Sequence, residues 1–449
     1  MSTLLIKDGM IVTMNPNRDI FKGDILIEDG NIQFVGHNPD LNADRKINAY
    51  GKVIIPGLIQ SHIHLTQTLF RGQGDDLELM DWLKKIIWPL EGSHDDESNY
   101  YSAKLGMAEL VKGGTTTIVD METVHHTDNA INAIYEAGIR AITGKCMMNY
   151  GMEVPLSLME TMEDSIEESL YLLNKWHMKD NGRIRYAFAP RFVVSCTEEL
   201  LIRVRDLAKE NNVMIHTHAS ENLGEIEFVM KDRGMKNIAY LEKIGLTGPN
   251  LILAHCIWVD DDEMRIIAQT GTKVAHCPNS NLKLASGIAK IPEMIKMGID
   301  VSIGADGAPC NNNLDMFNEM RTAALIQKGR RLDPTIMPAE TVFELATLGG
   351  AKAVGLIDEI GSIEAGKKAD LAILNLDHIH SIPSKEVNLI SQIVYSAKAS
   401  DVDTTIVDGK ILMEDRKLKT LNEEEIKNNC NRLIIRQISK SKINRISYS

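Results

Sequence analysis

Eight short apolar segments between residues 57 and 306 alternate with amphipathic helical segments. Short apolar runs of this kind are typical of strands buried in a parallel sheet, and eight of them alternating with helices predict an α/β protein built on a (β/α)8 TIM barrel. A doubly wound parallel sheet is the alternative fold. The predicted strands cover residues 57–64, 115–120, 141–144, 185–189, 213–218, 251–255, 273–276 and 301–306.

Both ends of the chain have a different pattern, in which short strands are joined by turns. Asp-Gly dipeptides between apolar runs, at residues 8–9, 29–30 and 408–409, predict hairpins. We therefore predict one small β-sandwich domain that both termini build, with the barrel inserted between its halves. The predicted boundaries are 1–55 and 361–420 for the β domain, 56–360 for the barrel, and 421–449 for a solvated tail, first helical and then polar.

The bulk properties restrict the partner and the cellular location. A net charge of -13 at pH 7 argues against nucleic acid or an anionic membrane as the main partner, but it does not exclude a nucleobase or nucleoside, which is small and nearly neutral. Apolar runs stay well short of the roughly 20 residues that cross a bilayer. The first residues lack the pattern of a signal peptide, and six cysteines without paired spacing are typical of reduced thiols. The expectation is a cytoplasmic protein.

Metal-capable or acid–base side chains stand at the ends of five predicted strands. His62 and His64 are two residues apart on an extended segment, so their side chains project from the same face. Functional groups of a barrel lie at the carboxyl ends of its strands, so these side chains are expected to meet. A strand with two hydrogen-bonded histidines is the alternative. The other strand-end residues are His218, His255, His276 and Asp306.

This set of side chains is suited to hydrolysis at a single metal ion. Such a site needs three or four nitrogen or oxygen ligands and an open position for water, whose pKa falls from about 15.7 to about 7. Asp306 can accept the proton of the water, and Glu221 can protonate the leaving side. His255 can hold the water, while His216 is expected to hydrogen-bond to a ligand, or else to be one. Histidines expected at the surface are His37, His94, His177, His378 and His380.

Five ordered motifs carry a resemblance to a known family. They are PGLIQSHIH at residues 56–64, HASE at 218–221, AHC at 254–256, HCPNSN at 276–281 and GADG at 304–307. With them the chain resembles the amidohydrolase superfamily, in the branch that holds purine deaminases and s-triazine hydrolases. The resemblance covers nearly the whole chain, and residues 361–371 match the return of that family to its β domain.

The resemblance implies a complete active site. Glu221 would move a proton to a ring nitrogen, and His255 would contact the hydrolytic water that attacks the amidine carbon of a purine ring. Relatives in this branch are commonly dimers or larger, so a homo-oligomer is expected. A metal-bearing barrel used for binding alone is the non-enzyme alternative, which leaves the acid at Glu221 without a use. The implied ligands of one divalent metal, with zinc favoured over iron, are His62, His64, His218 and Asp306.

Two segments favour different purines. Residues 79–91 resemble enzymes that deaminate 5'-deoxyadenosine, 5'-methylthioadenosine and S-adenosylhomocysteine, in which the acid matching Glu91 binds the ribose hydroxyls. Residues 189–196 resemble guanine deaminases, in which residues matching Arg191 and Gln67 hold the oxo group. We predict deamination of an adenosine-type nucleoside, with guanine or 8-oxoguanine, or an s-triazine, as alternative substrates. The predicted substrate-binding residues are Gln67, Trp82, Glu91, Arg191, Phe192 and Glu221.

Overall fold

The computed structural model describes residues 3–151 and 153–443. The strands of these residues are β1 (Thr3–Val12), β2 (Ile20–Glu28), β3 (Asn31–Gly36), β4 (Arg45–Asn48), β5 (Val53–Pro56), β6 (Leu58–Ile63), β7 (Thr115–Met121), β8 (Arg140–Gly144), β9 (Cys146–Met147), β10 (Ile184–Pro190), β11 (Met214–Ala219), β12 (Leu251–His255), β13 (Lys273–His276), β14 (Val301–Ile303), β15 (Leu371–Leu374), β16 (Val402–Val407), β17 (Lys410–Glu414) and β18 (Lys417–Leu418).

The α-helices of the same residues are α1 (Leu79–Trp82), α2 (Trp88–Glu91), α3 (Asp96–Lys112), α4 (Thr127–Ala137), α5 (Met162–Trp176), α6 (Lys179–Gly182), α7 (Glu198–Asn211), α8 (Leu223–Arg233), α9 (Asn237–Lys243), α10 (Asp261–Thr270), α11 (Pro278–Lys283), α12 (Ile291–Lys296), α13 (Ala308–Asn311), α14 (Met316–Arg331), α15 (Ala339–Glu344), α16 (Gly350–Ala353), α17 (Leu389–Tyr395) and α18 (Glu423–Ser441). Segments Leu83–Ile87 and Leu345–Gly349 form π-helical turns.

Eight parallel strands form the predicted barrel. They pair in the order β14-β13-β12-β11-β10-β8-β7-β6, and β9 pairs with β10 beside this path. The edge strands β6 and β14 approach each other, because Asp306 N donates to His62 O at 3.1 Å and Ser61 Oγ donates to Ile303 O at 3.1 Å. Gly304 permits this approach, since a Cβ there would lie 2.6 Å from His62 O. The barrel is confirmed, and the doubly wound alternative is wrong.

Strands from both ends of the chain form a second, mixed sheet. Its order is β18-β17-β16-β15-β5-β1-β2-β3, with β4 pairing with β1. The C-terminal β15 is antiparallel to the N-terminal β5, so hydrogen bonds join the two ends of the chain. Buried side chains from both ends, such as Ile6, Ile54 and Leu371, pack into a separate apolar core. A small β domain made from both termini is therefore confirmed, and its boundaries at 55, 360 and 420 stay predictions.

The three Asp-Gly dipeptides do not behave alike. Residues 29–30 join β2 to β3, and residues 408–409 join β16 to β17, as predicted. The hairpin predicted at residues 8–9 is wrong, because β1 continues through them. Its register with β2 shifts between Ile6 and Gly9, Asp8 has a φ of 61°, and Asp8 N donates to Asp24 Oδ1 at 2.9 Å. The extra residue is absorbed in a bulge, which keeps the strand paired on both sides.

Helix α18 packs on the outside of the barrel against α3. Arg436 forms ion pairs with Asp95 at 2.7 Å and with Glu97 at 2.9 Å, and the side chain of Leu433 is fully buried. The expectation of a solvated tail is wrong for this helix, since its apolar face is covered. Residues 444–445, which belonged to the same prediction, lie outside the described residues.

A buried ion pair connects the barrel to the β domain. Arg140 begins β8, and its Nε donates to Asp370 Oδ2 at 2.7 Å, while a terminal nitrogen donates to Asp408 Oδ1 at 3.2 Å. Arg140 is 1% exposed, so the two carboxylates take the place of water around its guanidinium.

Within residues 3–151 and 153–443, no helix is both long enough and apolar enough to cross a bilayer.

Candidate active site and metal centre

Four histidines and an aspartate meet where the barrel strands end. His62 and His64 lie at the end of β6, with His218 on β11, His255 at the end of β12 and Asp306 just beyond β14. The ring centre of His62 is 4.8 Å from those of His64 and His218, and 5.3 Å from that of His255. We call these five residues the histidine cluster. The convergence that the strand ends predicted is present.

The hydrogen bonds of His64 and His218 fix the position of their protons. His64 Nδ1 lies 2.8 Å from Met121 O, and His218 Nδ1 lies 2.7 Å from Arg191 O. Because a carbonyl oxygen only accepts, both Nδ1 atoms must carry the proton, and both Nε2 atoms are bare. These two Nε2 atoms face each other at 3.1 Å. Two lone pairs at this distance repel each other unless a proton or a cation lies between them.

His62 and Asp306 complete the arrangement. His62 Nδ1 is 2.8 Å from His216 Nε2, whereas His62 Nε2 has no hydrogen-bond partner in the described part of the chain. Asp306 Oδ1 lies 3.3 Å from His62 Nε2 and 3.4 Å from His64 Nε2. The second oxygen, Oδ2, accepts from Ser280 Oγ at 2.6 Å, which orients the carboxylate. His216 therefore contacts His62, as the hydrogen-bonding role expected for it requires.

These donor atoms fit a divalent metal ion. Two overlapping groups, His62 with His64 and His218, and His62 with His255 and Asp306, each bring their ligand atoms within 4.8 Å of one another. Burial lowers the pKa of His64 to about 4, and it holds the pKa of His218 well below the ordinary value. Both imidazoles stay neutral near pH 7, which is the form that binds metal. Imidazole nitrogens with one carboxylate oxygen suit zinc or iron.

Glu221 and His255 form the part of the site that can handle protons. Glu221 Oε2 lies 3.4 Å from His255 Nε2, and His255 Nδ1 lies 2.8 Å from the Oδ1 atom of Asn281. The amide oxygen accepts, so Nδ1 of His255 carries a proton and Nε2 is the nitrogen that faces Glu221. Burial raises the pKa of Glu221 well above its ordinary value, and the negative charges of Asp306 and Glu225 add to the effect. A protonated Glu221 can therefore serve as an acid near neutral pH.

A cavity that is partly open to solvent adjoins the cluster, and its space is about 350 Å³ with the open part included. His64, His218, His255 and Asp306 line it, together with apolar side chains that include Leu79 and Leu284. The cavity thus combines apolar side chains with acid–base groups, which suits a planar heterocycle. Of the predicted substrate-binding residues, those that line it are Gln67, Trp82, Arg191, Phe192 and Glu221.

Glu91 lies behind two of these residues. Gln67 Nε2 donates to Glu91 Oε1 at 2.8 Å, and Arg191 donates to Glu91 Oε2 at 2.6 Å and to Oε1 at 3.3 Å. Burial alone would raise the pKa of Glu91, but the charge and hydrogen bonds of Arg191 lower it overall. Glu91 is thus an ionised carboxylate that is 3% exposed. We call Gln67, Glu91 and Arg191 the arginine cluster.

Some histidines have other surroundings than expected. The surface prediction is wrong for His94, which is buried, with Nδ1 2.9 Å from Ser98 Oγ and Nε2 2.9 Å from Thr66 O. These polar partners stabilise an imidazole away from solvent. His276 is buried, and within residues 3–151 and 153–443 neither of its ring nitrogens is hydrogen-bonded.

The residues that orient the cluster were not singled out from the sequence. Ser280 and Asn281 hold Asp306 and His255, and both lie in the HCPNSN motif at residues 276–281. The asparagine and the serine of this motif are the signal that the sequence offers for them. Their partners are 26 residues away in each case, so the contacts depend on where α11, which carries both residues, packs over the barrel.

The comparisons with known proteins agree with this geometry. The 5'-deoxyadenosine deaminase of Methanobrevibacter smithii is 42% identical over 426 residues, which is 95% of this chain and 96% of the relative. The 5-methylthioadenosine/S-adenosylhomocysteine deaminase of Moorella thermoacetica is 41% identical over 430 residues, which is 95% and 97% of the two chains.

Solved structures and a family model point the same way. The crystal structure of an adenosine deaminase from Xanthomonas campestris with bound zinc superimposes with a TM-score of 0.91 at 31% identity, covering 98% of this chain and 99% of the other. The sequence model described as "Amidohydrolase family" matches residues 53–412, which is most of the chain. Members of this family depend on metal ions. The chain belongs to the amidohydrolase family.

Proposed function

We propose that the protein is an aminohydrolase that converts an adenine nucleoside and water into the inosine-type product and ammonia. The candidate substrates are 5'-deoxyadenosine, 5'-methylthioadenosine, S-adenosylhomocysteine and adenosine. The observation that carries the proposal is the joint opening of the histidine cluster and of the buried acid Glu221 onto one cavity. The names of the two relatives, at 42% and 41% identity over nearly the whole chain, support the same substrate class.

The proposed metal is a single divalent ion, with zinc favoured and iron as the alternative. The bare Nε2 atoms of His64 and His218 and the unpartnered Nε2 of His62 support this assignment. When bound, such an ion lowers the pKa of a water molecule towards about 7 and neutralises developing negative charge. The proposed ligands are His62, His64, His218 and Asp306.

The protein's own groups then manage the protons. Asp306 accepts a proton from the water whose oxygen bonds to C6 of the purine, and Glu221 donates its proton to N1. His255 can accept a hydrogen bond at Nε2 and so orient the water. The proton held by Asp306 passes to the amino group, the C6–N bond breaks, and ammonia leaves. As the C6–N bond breaks, the C6 hydroxyl becomes the carbonyl of the product and gives its proton to Glu221, so one water is consumed, one ammonia is released and the acid is restored.

The arginine cluster bears on the choice between a nucleoside and guanine. In the guanine alternative, Gln67 and Arg191 would donate to an oxo group of the base. Both already donate to Glu91, but a guanidinium has five N–H groups and an amide has two, so the same side chains can serve a second acceptor. The choice of a nucleoside therefore rests on the relatives, whose names specify adenine-nucleoside deamination. We propose that the cluster faces the sugar side of the substrate and that Glu91 acts together with Arg191 and Gln67. A homo-oligomer and a cytoplasmic location stay predictions.

The test is ammonia release by purified, metal-loaded protein from a panel of compounds. The panel contains the four candidate nucleosides, guanine, 8-oxoguanine and a chloro-s-triazine. We expect turnover of the nucleosides alone. Turnover of guanine alone would overturn the substrate and assign Arg191 to an oxo group. Chloride release from the triazine would overturn the reaction, and a protein that retains stoichiometric metal but acts on no compound would overturn the proposed function.

A further inference from the structure

A buried carboxylate on α8 faces the loop that carries Glu221. Glu225 is 1% exposed, and its Oε2 accepts from Glu221 N at 2.7 Å. Its Oε1 accepts from Ser220 N at 3.1 Å and also from the side-chain amide of Asn237. Both oxygens are therefore engaged by donors, two of which are consecutive backbone amides. Glu225 does not contact the reacting atoms of the chemistry proposed above, and the effect described so far is that its charge helps to raise the pKa of Glu221.

The backbone that Glu225 holds is in an unfavourable conformation. Ser220 has a φ of 55°, in the left-handed region that residues with a side chain rarely adopt. Such a conformation persists only where the surroundings fix it. The turn lies between His218, at the end of β11, and Glu221, so it sets the direction in which the Glu221 side chain leaves the strand. Two amides bound to one carboxylate are a means of fixing it.

The same turn is also held from the opposite side. Ser220 O accepts from Ile257 N at 3.0 Å and from Trp258 N at 2.9 Å, and Ala219 O accepts from Cys256 N at 3.1 Å. These three amides directly follow His255. The peptide groups of the turn are thus tied to Glu225 through their N–H groups and to the His255 loop through their carbonyl groups. The position of Glu221 relative to His255 depends on both attachments.

We propose that Glu225 is a positioning residue for the acid of the reaction, holding the Ser220–Glu221 backbone so that Glu221 stays beside His255 in the cavity. The inference rests on the proposed function, because it assigns a partner to the group that donates the proton. Glu225 acts through Glu221 and does not contact the reacting atoms.

The variant that tests this is Glu225→Gln. A glutamine has one acceptor oxygen, and its amide group would meet a backbone N–H with another donor, so one of the two backbone hydrogen bonds is lost. We expect kcat to fall about 10- to 100-fold, the range typical of groups that orient catalytic ligands. KM and the bound metal per chain should stay within about 2-fold of wild type. The matched control is Glu227→Gln, an exposed glutamate on the same helix, which should behave as wild type.

Two further readouts separate positioning from a general structural role. Hydrogen exchange of peptides that cover residues 219–224 should be faster in Glu225→Gln, with or without metal, and unchanged in Glu227→Gln. In a double-mutant cycle, Glu225→Gln should lower kcat by less than about 2-fold once Glu221→Gln is present, because the positioned group is gone. If the losses in kcat from Glu225→Gln and Glu221→Gln multiply in the double variant, the proposal is overturned. A wild-type kcat in Glu225→Gln, or a defect of that variant that appears only in KM or in metal content, would overturn it as well.

A second variant covers the case in which Glu225→Gln does not fold. Glu225→Asp keeps the charge but shortens the reach by one methylene group, so we expect a folded protein with faster exchange at 219–224 and a lower kcat. A folded Glu225→Asp with wild-type kcat and exchange would overturn the proposal. Failure of this inference is distinct from failure of the proposed function, which would be seen as a wild-type protein that releases no ammonia from any compound of the panel.

Discussion

The two polar clusters of the cavity satisfy their buried groups in opposite ways. In the histidine cluster, bare nitrogen atoms of His64 and His218 face each other at 3.1 Å. In the arginine cluster, the carboxylate of Glu91 is matched by hydrogen bonds from Arg191 and Gln67. Buried polar groups are almost always paired, so the unpaired set is incomplete without a cation, whereas the paired set is complete by itself. The difference supports the proposal that the histidine cluster binds a metal ion and that the arginine cluster faces the substrate.

The largest effect is expected from removing the unprotonated Nε2 atom of His64. In His64→Ala we expect the bound metal to fall far below one per chain and ammonia release to fall at least about 10,000-fold, because several kcal/mol of stabilisation by the metal are lost. Metal analysis and a turnover assay check this. The control His276→Asn replaces another buried strand-end histidine and should keep its metal. Full metal binding by His64→Ala would remove this residue from the proposed ligands.

Glu221→Gln separates the acid from the metal. The amide keeps the size of the side chain but cannot donate the proton that the ring nitrogen needs, so we expect kcat to fall about 100- to 10,000-fold. Metal content should equal that of wild type, in contrast to His64→Ala. Metal analysis alongside single-turnover kinetics measures both quantities. Retained turnover would contradict the role of Glu221, and another group would then have to donate the proton to the ring nitrogen.

The arginine cluster should respond to substitution in a different way. Arg191→Met leaves the Glu91 carboxylate buried and unpaired, which we expect to lower the free energy of unfolding by about 3–5 kcal/mol. In the double variant with Glu91→Leu, both charges are gone, and stability should largely return while KM for the nucleoside stays high. Denaturant unfolding measures the predicted changes in stability, and steady-state kinetics measures the predicted change in KM. A double variant that regains wild-type KM would exclude the cluster from substrate binding.

The smallest effect concerns pH. Because the pKa of Glu221 is raised by burial, by Asp306 and by Glu225, the acid is protonated near neutral pH and loses its proton as the pH rises through that pKa. We therefore expect kcat to fall on the alkaline side of its pH profile, with slope set by one group. Glu91→Gln, in the other cluster, should leave the position of this alkaline limb unchanged. An alkaline limb that persists unaltered in the residual activity of Glu221→Gln would assign it to another group.

The strands and the reactive side chains could be predicted from the sequence because both depend on the order of residues within a short segment of the chain. A histidine at the end of a buried strand, such as His218 or His255, reaches the mouth of the barrel wherever the loops go. The orienting contacts could not be predicted in this way. Asn281 meets His255 and Ser280 meets Asp306 only because α11, which carries Asn281 and Ser280, packs over the ends of β12 and β14.

The errors have a common physical origin as well. His94 is predicted at the surface because it lies outside the strands, yet Ser98 Oγ at the start of α3 and the more distant Thr66 O hold it in the interior. The residues at 8–9 have turn composition, but pairing of β1 on both sides outweighs the local preference. In each case a partner distant in sequence, Thr66 or a neighbouring strand, contributes to the outcome, and no local pattern reports such a partner.

The pairing of β5 with β15 has a consequence for the synthesis of the chain. β5 ends at Pro56, immediately before the strand that leads to His62 and His64, whereas β15 begins at Leu371. Ribosomes make the N-terminal part first, so every proposed metal ligand has been made before this edge of β5 has its partner. A transcript truncated before residue 371 would encode the complete ligand set with an open strand edge beside it, and such edges recruit other chains. For this protein, the synthesis of β15 is the step that covers the open edge of β5.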